Sequence, residues 1–273
     1  MKKYSLLIFL VIIILSLSVN IVNTQANIVP NIMFMGLKDG DVVQIELTNW
    51  DVKYYLTEKS RYYFVSDMKF FNCCNKLVFV VSSDTENRIG TIDIKKEKIQ
   101  YIDPIQVGVH KNIIEVFLSS KEPNSIYLST NNKLEYLIGD NEEEIRKWEE
   151  AMVYARYDVE KDICTKTFTP AENERIFFPH GKSHIDRDKK KLSIVGLLRK
   201  ESILLENEKS KNILYIGEQY SVIISRGKLH IVDIGQQSGS PKIIKTSPED
   251  FGKKDNNLLI PDYINSVEIV NIQ

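Results

Sequence analysis

Beyond residue 30 the chain alternates apolar and polar positions with a period of two. In "DVVQIEL", Val43, Ile45 and Leu47 fall on one face and Val42, Gln44 and Glu46 on the other, as in a strand whose successive side chains point to opposite sides. "DVKYYLT", "RYYFVSD", "KLVFVVSS", "IIEVFLS", "SIYLST" and "KLEYLIG" follow. The second half adds "MVYARYDV", "DICTKTF", "RIFFP", "KLSIVGLL", "ESILLEN", "NILYIG", "YSVIIS", "KLHIVDI" and "PKIIKT". Each is short, rich in β-branched and aromatic residues, and bounded by Asn, Asp, Gly, Lys or Ser, which is strand composition with hairpin punctuation. No long stripe of helical period interrupts the series. "NEEEIRKWEEAMVYA", from Asn141 to Ala155, is the best helical candidate, with acidic residues where a helix N-terminus favours them.

An apolar-acid-apolar triplet recurs through these segments. It appears as Ile45-Glu46-Leu47, Ile92-Asp93-Ile94, Tyr157-Asp158-Val159 and Val232-Asp233-Ile234, and "LSIVGLL" fits the frame with Gly196 at the acidic place. The centres fall at 46, 93, 158, 196 and 233. A loose period near 40 residues carrying several strands is that of a propeller blade. In "KLHIVDI", Leu229 and Ile231 lie on one face and Val232 and Ile234 on the other, so both faces ask for burial, as in a sheet packed between two neighbours. The triplet's acid has a structural task available, since Asp readily accepts from backbone amides of a following turn.

The hairpin "RIGTIDIKKEKIQYI", and less closely Gly227 to Thr246, resembles the blade hairpin of the YVTN, quinoprotein-like and TolB-like secreted propellers. The YVTN tetrapeptide itself is absent, and "KLVFVVSS" occupies its place. The resemblance implies an architecture, not an activity. The fold expected is all-β: a propeller of five or six blades over residues 27–273, with a pair of β-sandwiches as the alternative. A ring of sheets must join its ends. Residues 265–272, nearly all within the alternating "SVEIVNIQ", are accordingly expected to share a sheet with strands from residues 31–57. Ile92, Ile94, Val232 and Ile234 are expected to be buried in middle strands.

Residues 1–26 differ from the rest. Lys2 and Lys3 precede an unbroken apolar run from Leu6 to Leu15, and Thr24 and Ala26 have the spacing of a cleavage site, which is the layout of a secretory signal. An uncleaved anchor is the alternative, since Tyr4 to Val22 is just long enough to span a bilayer. Either reading places the domain outside the cytoplasm, secreted or tethered to the cell membrane. Removing residues 1–26 takes away two lysines and no acid, so a net charge of −1 becomes about −3. That balance excludes a dedicated nucleic-acid binder. The densest basic run, Arg187 to Lys191, reads as a solvated turn.

Three cysteines, Cys73, Cys74 and Cys164, leave no complete disulfide framework. Outside the cell one bridge from Cys164 to either neighbour can form, although a chain of this size folds without staples. No CxxC pair is present, and no metal site or cofactor is expected. "FFPHGKSHIDRD" is the densest polar cluster, with His180, His184, Asp186 and Asp188 as candidate binding residues. An inter-blade loop is the plainer reading, because a His-x-x-x-His pair ligates a metal convincingly from a helix and His180-Gly181 follows Pro179. His110 and His230 stand apart from it. Phosphate-loop, dinucleotide, nucleophile-elbow and zinc-helix motifs are absent. The function expected is therefore non-catalytic binding or scaffolding, with a protein, peptide or glycan recognised through propeller loops. An extracellular glycan hydrolase or lyase is the alternative, and two or three carboxylates lining one mouth would be its mark.

Overall fold

The computed structural model describes residues 29–55, 64–82, 87–103, 113–131, 143, 150–177, 213–216, 219–225, 227–233, 242–251, 256–260 and 263–272. In chain order the strands are β1 (Ile32–Leu37), β2 (Val42–Glu46), β3 (Asp51–Tyr55), β4 (Phe64–Phe71), β5 (Lys76–Ser82), β6 (Asn87–Asp93), β7 (Lys98–Tyr101), β8 (Ile113–Ser119) and β9 (Ser125–Asn131). They continue with β10 (Met152–Asp158), β11 (Ile163–Thr167), β12 (Arg175–Phe177), β13 (Ile213–Ile216), β14 (Tyr220–Ser225), β15 (Lys228–Asp233), β16 (Lys242–Thr246) and β17 (Ile264–Val270). Short 3-10 turns stand at Glu172–Glu174 and Asn256–Leu259. The chain is all-β, as its alternation predicts. The helical candidate is corrected at its end: Glu143 and Glu150 are helical, but the strand β10 begins at Met152. Its β-branched and aromatic residues pair with β9 instead.

The strands make four antiparallel sheets. The first runs β17-β1-β2-β3, the second β4-β5-β6-β7, the third β11-β10-β9-β8-β12 and the fourth β13-β14-β15-β16. None closes into a barrel, and the described residues do not complete a ring of blades. A pair of separate sandwiches does not describe them either. Three cores join four sheets in succession. Met33, Met35, Val43 and Ile45 of the first sheet pack with Val222, Ile224, Leu229 and Ile231 of the fourth. Phe34 and Val42 pack with Met68, Leu77, Phe79 and Ile92 of the second. Val78, Val80 and Ile89 pack with Leu118, Ile126, Leu128 and Ala155 of the third. Neighbouring residues on β1 and on β5 thus serve different cores, and both faces of the first and second sheets are buried. Two sandwiches standing apart would leave one face of each sheet polar.

The first sheet joins the two ends of the described chain. β17 pairs with β1 from Ile32↔Val270 to Leu37↔Ile264, so the C-terminal segment does share a sheet with residues 32–55. The faces fall as the alternation implies: Val267 and Ile269 serve the core shared with the fourth sheet, while Val270 and Ile272 serve the core shared with the second. Asn31 locks the join by donating its side-chain amide to the Ile272 carbonyl (2.7 Å) and accepting from the Ile272 N–H (2.9 Å). Gly36 permits the close approach. A Cβ there would lie 2.3 Å from Ser266 Oγ and 2.5 Å from Val65 Cγ1. Gly90 does the same inside the second sheet, where a Cβ would meet the Phe79 ring at 2.1 Å. Of the four expected middle-strand residues, Ile92 and Val232 are fully buried. Ile94 is corrected: it follows the end of β6, half-buried in a turn, because the turn begins directly after Asp93. Ile234 lies outside the described residues.

Candidate functional site

The recurring triplet marks one place in the fold. Glu46, Asp93, Asp158 and Asp233 are the last residues of β2, β6, β10 and β15. Each of these is the next-to-last strand of its sheet, before the edge strand β3, β7, β11 or β16. Asp93 Oδ1 accepts from the Lys96 N–H at 3.0 Å, and Asp158 Oδ1 accepts from the Lys161 N–H at 3.0 Å. Each also pairs with the ammonium of that same lysine, at 3.0 and 3.2 Å. The acid therefore builds the turn, as the sequence predicts. For Asp158, the Lys161 amide is the chief reason its carboxyl is held below the ordinary range. For Asp93, burial pushes upward, and the amides and ammonium around it prevail and hold it low.

Four residues past the acid, the chain enters the left-handed region at a non-glycine residue: Trp50 (φ 64°), Glu97 (φ 55°) and Asp162 (φ 57°). These three side chains do one job with different chemistry. Trp50 of the first sheet meets Phe251 edge-on at 5.6 Å, in the core shared with the fourth sheet. Glu97 of the second sheet pairs with Lys53 on β3 of the first. Asp162 of the third sheet pairs with Lys76 on β5 of the second at 2.5 Å. Each turn thus latches its sheet to the one before it in the stack.

At the Asp162 latch the second and third sheets leave a cleft of about 220 Å³. Thr91 of β6, Gln100 and Tyr101 of β7, Ile102 and Asp103 beyond it, Tyr157 of β10, Asp162, and Cys164 of β11 line it. Lys76 stands behind, almost fully buried, and donates to the Val159 carbonyl at 2.9 Å as well as to Asp162. The Tyr157 hydroxyl donates to the other carboxylate oxygen of Asp162. Burial and the Asp162 carboxylate drive the Tyr157 phenol far above its ordinary range, so it stays protonated and acts as a donor. Burial pushes Asp162 upward, but the Lys76 and Tyr157 hydrogen bonds outweigh it and hold the carboxyl below its usual value. Burial, with the nearby Asp103 charge, raises the Cys164 thiol. The result is a polar wall with a fixed carboxylate and a fixed hydroxyl. Neither is poised to exchange a proton near neutrality, which general acid–base work requires.

The polar cluster singled out in the sequence, His180, His184, Asp186 and Asp188, lies outside the described residues, as does His110. His230 sits in β15 and pairs across to Thr246 at 3.0 Å, a sheet contact. All three cysteines are free thiols: Cys73 is exposed, and Cys74 and Cys164 are half-buried. Among the described residues no three His, Cys, Asp or Glu side chains gather as metal ligands, and no helix there is long and apolar enough to cross a membrane. The sequence pattern alone does not single out Lys76, Tyr157 or Asp162 as a site. The signal that locates Asp162 is its place four residues past the triplet's acid, the same offset as Trp50 and Glu97.

The fold and cleft define an all-β chain of four packed antiparallel sheets, and comparison adds no family. No family model matches the chain, and no curated protein matches it. Among solved structures it is similar to the crystal structure of the uncharacterized protein lmo1340 from Listeria monocytogenes EGD-e. The identity is 9% and the TM-score 0.33, and the match covers 80% of this chain and 51% of that one.

Proposed function

We propose that this is a non-catalytic binding protein of the extracytoplasmic face, secreted or held at the membrane by its N-terminal segment, whose sheets are blades of a small β-propeller. It recognises a protein, peptide or glycan through the loops and clefts between blades. Three features support the blade reading. The chain leaves the first, second and fourth sheets at an edge strand (β3, β7, β16). It enters the following sheet at the opposite edge strand (β4, β17) or, in the third sheet, at β8, one strand in from the edge strand β12. The three turn latches tie the first, second and third sheets each to its predecessor, as repeated blades around an axis would be tied. The basic start and apolar run of residues 1–26 support export.

The observation that carries the binding reading is the commitment of the cleft's polar groups to one another. Asp162 has one oxygen engaged by Tyr157 and the other by Lys76. A glycan hydrolase needs one carboxyl that holds its proton near neutrality opposite one that does not. Asp103 and Asp162 both line the cleft, the number of carboxylates the hydrolase alternative asks for, but Asp162 is held low by its Lys76 and Tyr157 bonds and so presents a fixed acceptor to a ligand, as recognition sites do.

Two measurements test the proposal. The full chain, titrated with a mixed pool of short peptides and separately with chito- and malto-oligosaccharides, should show saturable shifts at Thr91, Gln100, Asp103 and Asp162 in one series, with no product formed. Turnover of an oligosaccharide that Asp162→Asn abolishes would replace the reading with the hydrolase. A reporter fused after Gln273 should lie outside the cytoplasm, and a wholly cytoplasmic fusion would overturn the localisation.

A further inference from the structure

The turn Asn72 to Asn75 joins β4 to β5 and carries two adjacent cysteines whose sulfurs stand 3.5 Å apart. Cys73 is exposed, and Cys74 packs half-buried against the core between the second and third sheets. Asn75 takes the left-handed conformation (φ 53°) that closes the turn, and its carbonyl accepts from the Ile94 N–H at 3.1 Å. Lys76, the cation behind the cleft, is the next residue. The Cys74 Sγ lies 3.8 Å from the Phe71 carbonyl and 3.5 Å from its neighbour's sulfur, and it meets the Lys76 backbone amide.

We propose that Cys73 and Cys74 form a vicinal dithiol that an external disulfide oxidises reversibly to a Cys73–Cys74 disulfide. The step balances by thiol–disulfide exchange. The Cys73 sulfur, which meets solvent, gives up its proton and attacks one sulfur of the external disulfide, releasing the first external thiol. Cys74 then loses its proton and attacks the Cys73 sulfur of that mixed disulfide. The Cys73–Cys74 bond forms, and the second external thiol leaves with the electron pair of the bond that breaks. Two protein thiols are oxidised, and one external disulfide is reduced to two thiols.

Contact between the two sulfurs makes the second attack local, needing no movement of a distant strand. Consecutive Cα atoms lie about 3.8 Å apart, short of the usual disulfide separation of about 4.4–6.8 Å. The ring is therefore strained and readily reduced, which suits a switch and not a staple. Burial lifts the Cys74 thiol to about 12, which leaves the first attack to Cys73. Cys164 sits on another strand, half-buried in the cleft wall. An extracytoplasmic setting supplies disulfide oxidants, but the chemistry of the pair does not depend on where the chain works.

Oxidised glutathione is the probe. The purified full chain is incubated with it, quenched with N-ethylmaleimide, and read by intact mass and peptide mapping. The expected result is loss of two hydrogens from the protein mass and a fall in alkylated thiols from three to one, with the remaining label on Cys164. Cys164→Ser should form the same ring, Cys73→Ser and Cys74→Ser should not, and excess reduced glutathione should restore every thiol. Persistence of all three thiols, a bridge to Cys164, a chain-to-chain disulfide, or glutathione left attached at Cys73 would each overturn the proposal.

Discussion

Glu268 tests how the first and second sheets are held together. It stands on β17, 6% exposed, between the first sheet and β4. Its Oε1 accepts from the Phe70 backbone N–H at 3.0 Å and lies 3.6 Å from the Lys69 ammonium. Burial raises the carboxyl above its ordinary value, and Lys69 and the Phe70 amide offset this only in part. Two substitutions separate charge from hydrogen bond. Glu268→Gln keeps an acceptor for Phe70 and removes the buried charge. Glu268→Ala removes both and leaves a buried N–H unsatisfied, at about 1–3 kcal/mol. The two variants should then differ by that amount at every pH, or roughly 2–12 °C in Tm at about 2–4 °C per kcal/mol for a domain of this size. The wild type should move between them. Because the folded carboxyl holds its proton to higher pH than the unfolded one, this group's contribution is fully present below the ordinary value of 4.5 and is lost as pH rises through the folded value. Urea denaturation followed by tryptophan fluorescence, from pH 4 to pH 8, reads all three proteins. Glu268→Gln should match the wild type in acid and exceed it at pH 8. If Glu268→Gln at pH 8 falls as far below the wild type as Glu268→Ala does, the charge itself stabilises the join and the reasoning fails.

Other outcomes follow from the same geometry. Ile92→Ala, in a fully buried middle strand, should cost about 2–5 kcal/mol, while Ile94→Ala in its turn should cost less than half of that, both read by denaturant midpoint. Gly90→Ala drives a methyl into the Phe79 ring and should cost about 1–3 kcal/mol; Phe79→Leu in the same chain should recover part of the loss, a coupling that a double-mutant cycle measures. Lys76→Met strips Asp162 and the Val159 carbonyl of a charged donor and should cost about 1–3 kcal/mol. Because Asp162 titrates below its unfolded value in the fold, its contribution is present above that unfolded value and lost as pH falls through the folded one. Lys76→Met should remove that acid limb, seen as an Asp162 carboxyl that titrates higher by NMR.

The strands were legible because both cores and turns are written locally. β1 and β5 are apolar on both faces, and the run of Leu, Val and Phe in "KLVFVVS" says so before any contact is known. The triplet's acid was legible for the same reason: Asp93 and Asp158 bond amides three residues away, within the reach of sequence logic. The pairing of β17 with β1 spans most of the chain, yet it was readable from two apolar segments lacking partners nearby. The cleft was not legible. Lys76, Asp162 and Asp103 come from three hairpins, and their meeting is fixed by which sheet stacks on which. The end of the helical candidate misled because "AMVYA" serves either period, and only its partner β9 decides.

The three latches explain why the repeat is strict at one position and loose at another. At Asp93 and Asp158 the acid at the strand end accepts from an amide of its own turn, so its chemistry there is fixed by local geometry. The left-handed residue four positions on answers chiefly to the neighbouring sheet, although Asp162 also accepts from Tyr157 of its own hairpin. Its side chain faces the preceding sheet, so its identity is set by what stands there: an aromatic ring opposite Trp50, a lysine opposite Glu97, and a buried lysine opposite Asp162. A repeat search that weighs side-chain identity sees only the first position. The two ion pairs also differ in environment. Lys53–Glu97 is largely in water, with side chains 39% and 64% exposed, whereas Lys76 is 7% exposed. Exposed pairs contribute about 0–1 kcal/mol, so Glu97→Ala should change stability little, while loss of the Asp162 partner leaves a buried ammonium with the Val159 carbonyl alone. The third sheet is therefore tied to the second more firmly than the second is tied to the first by these turns, and the cleft sits at the firmer join. A site that presents fixed hydrogen-bonding groups gains from that rigidity, because less ordering remains to be done when a ligand arrives.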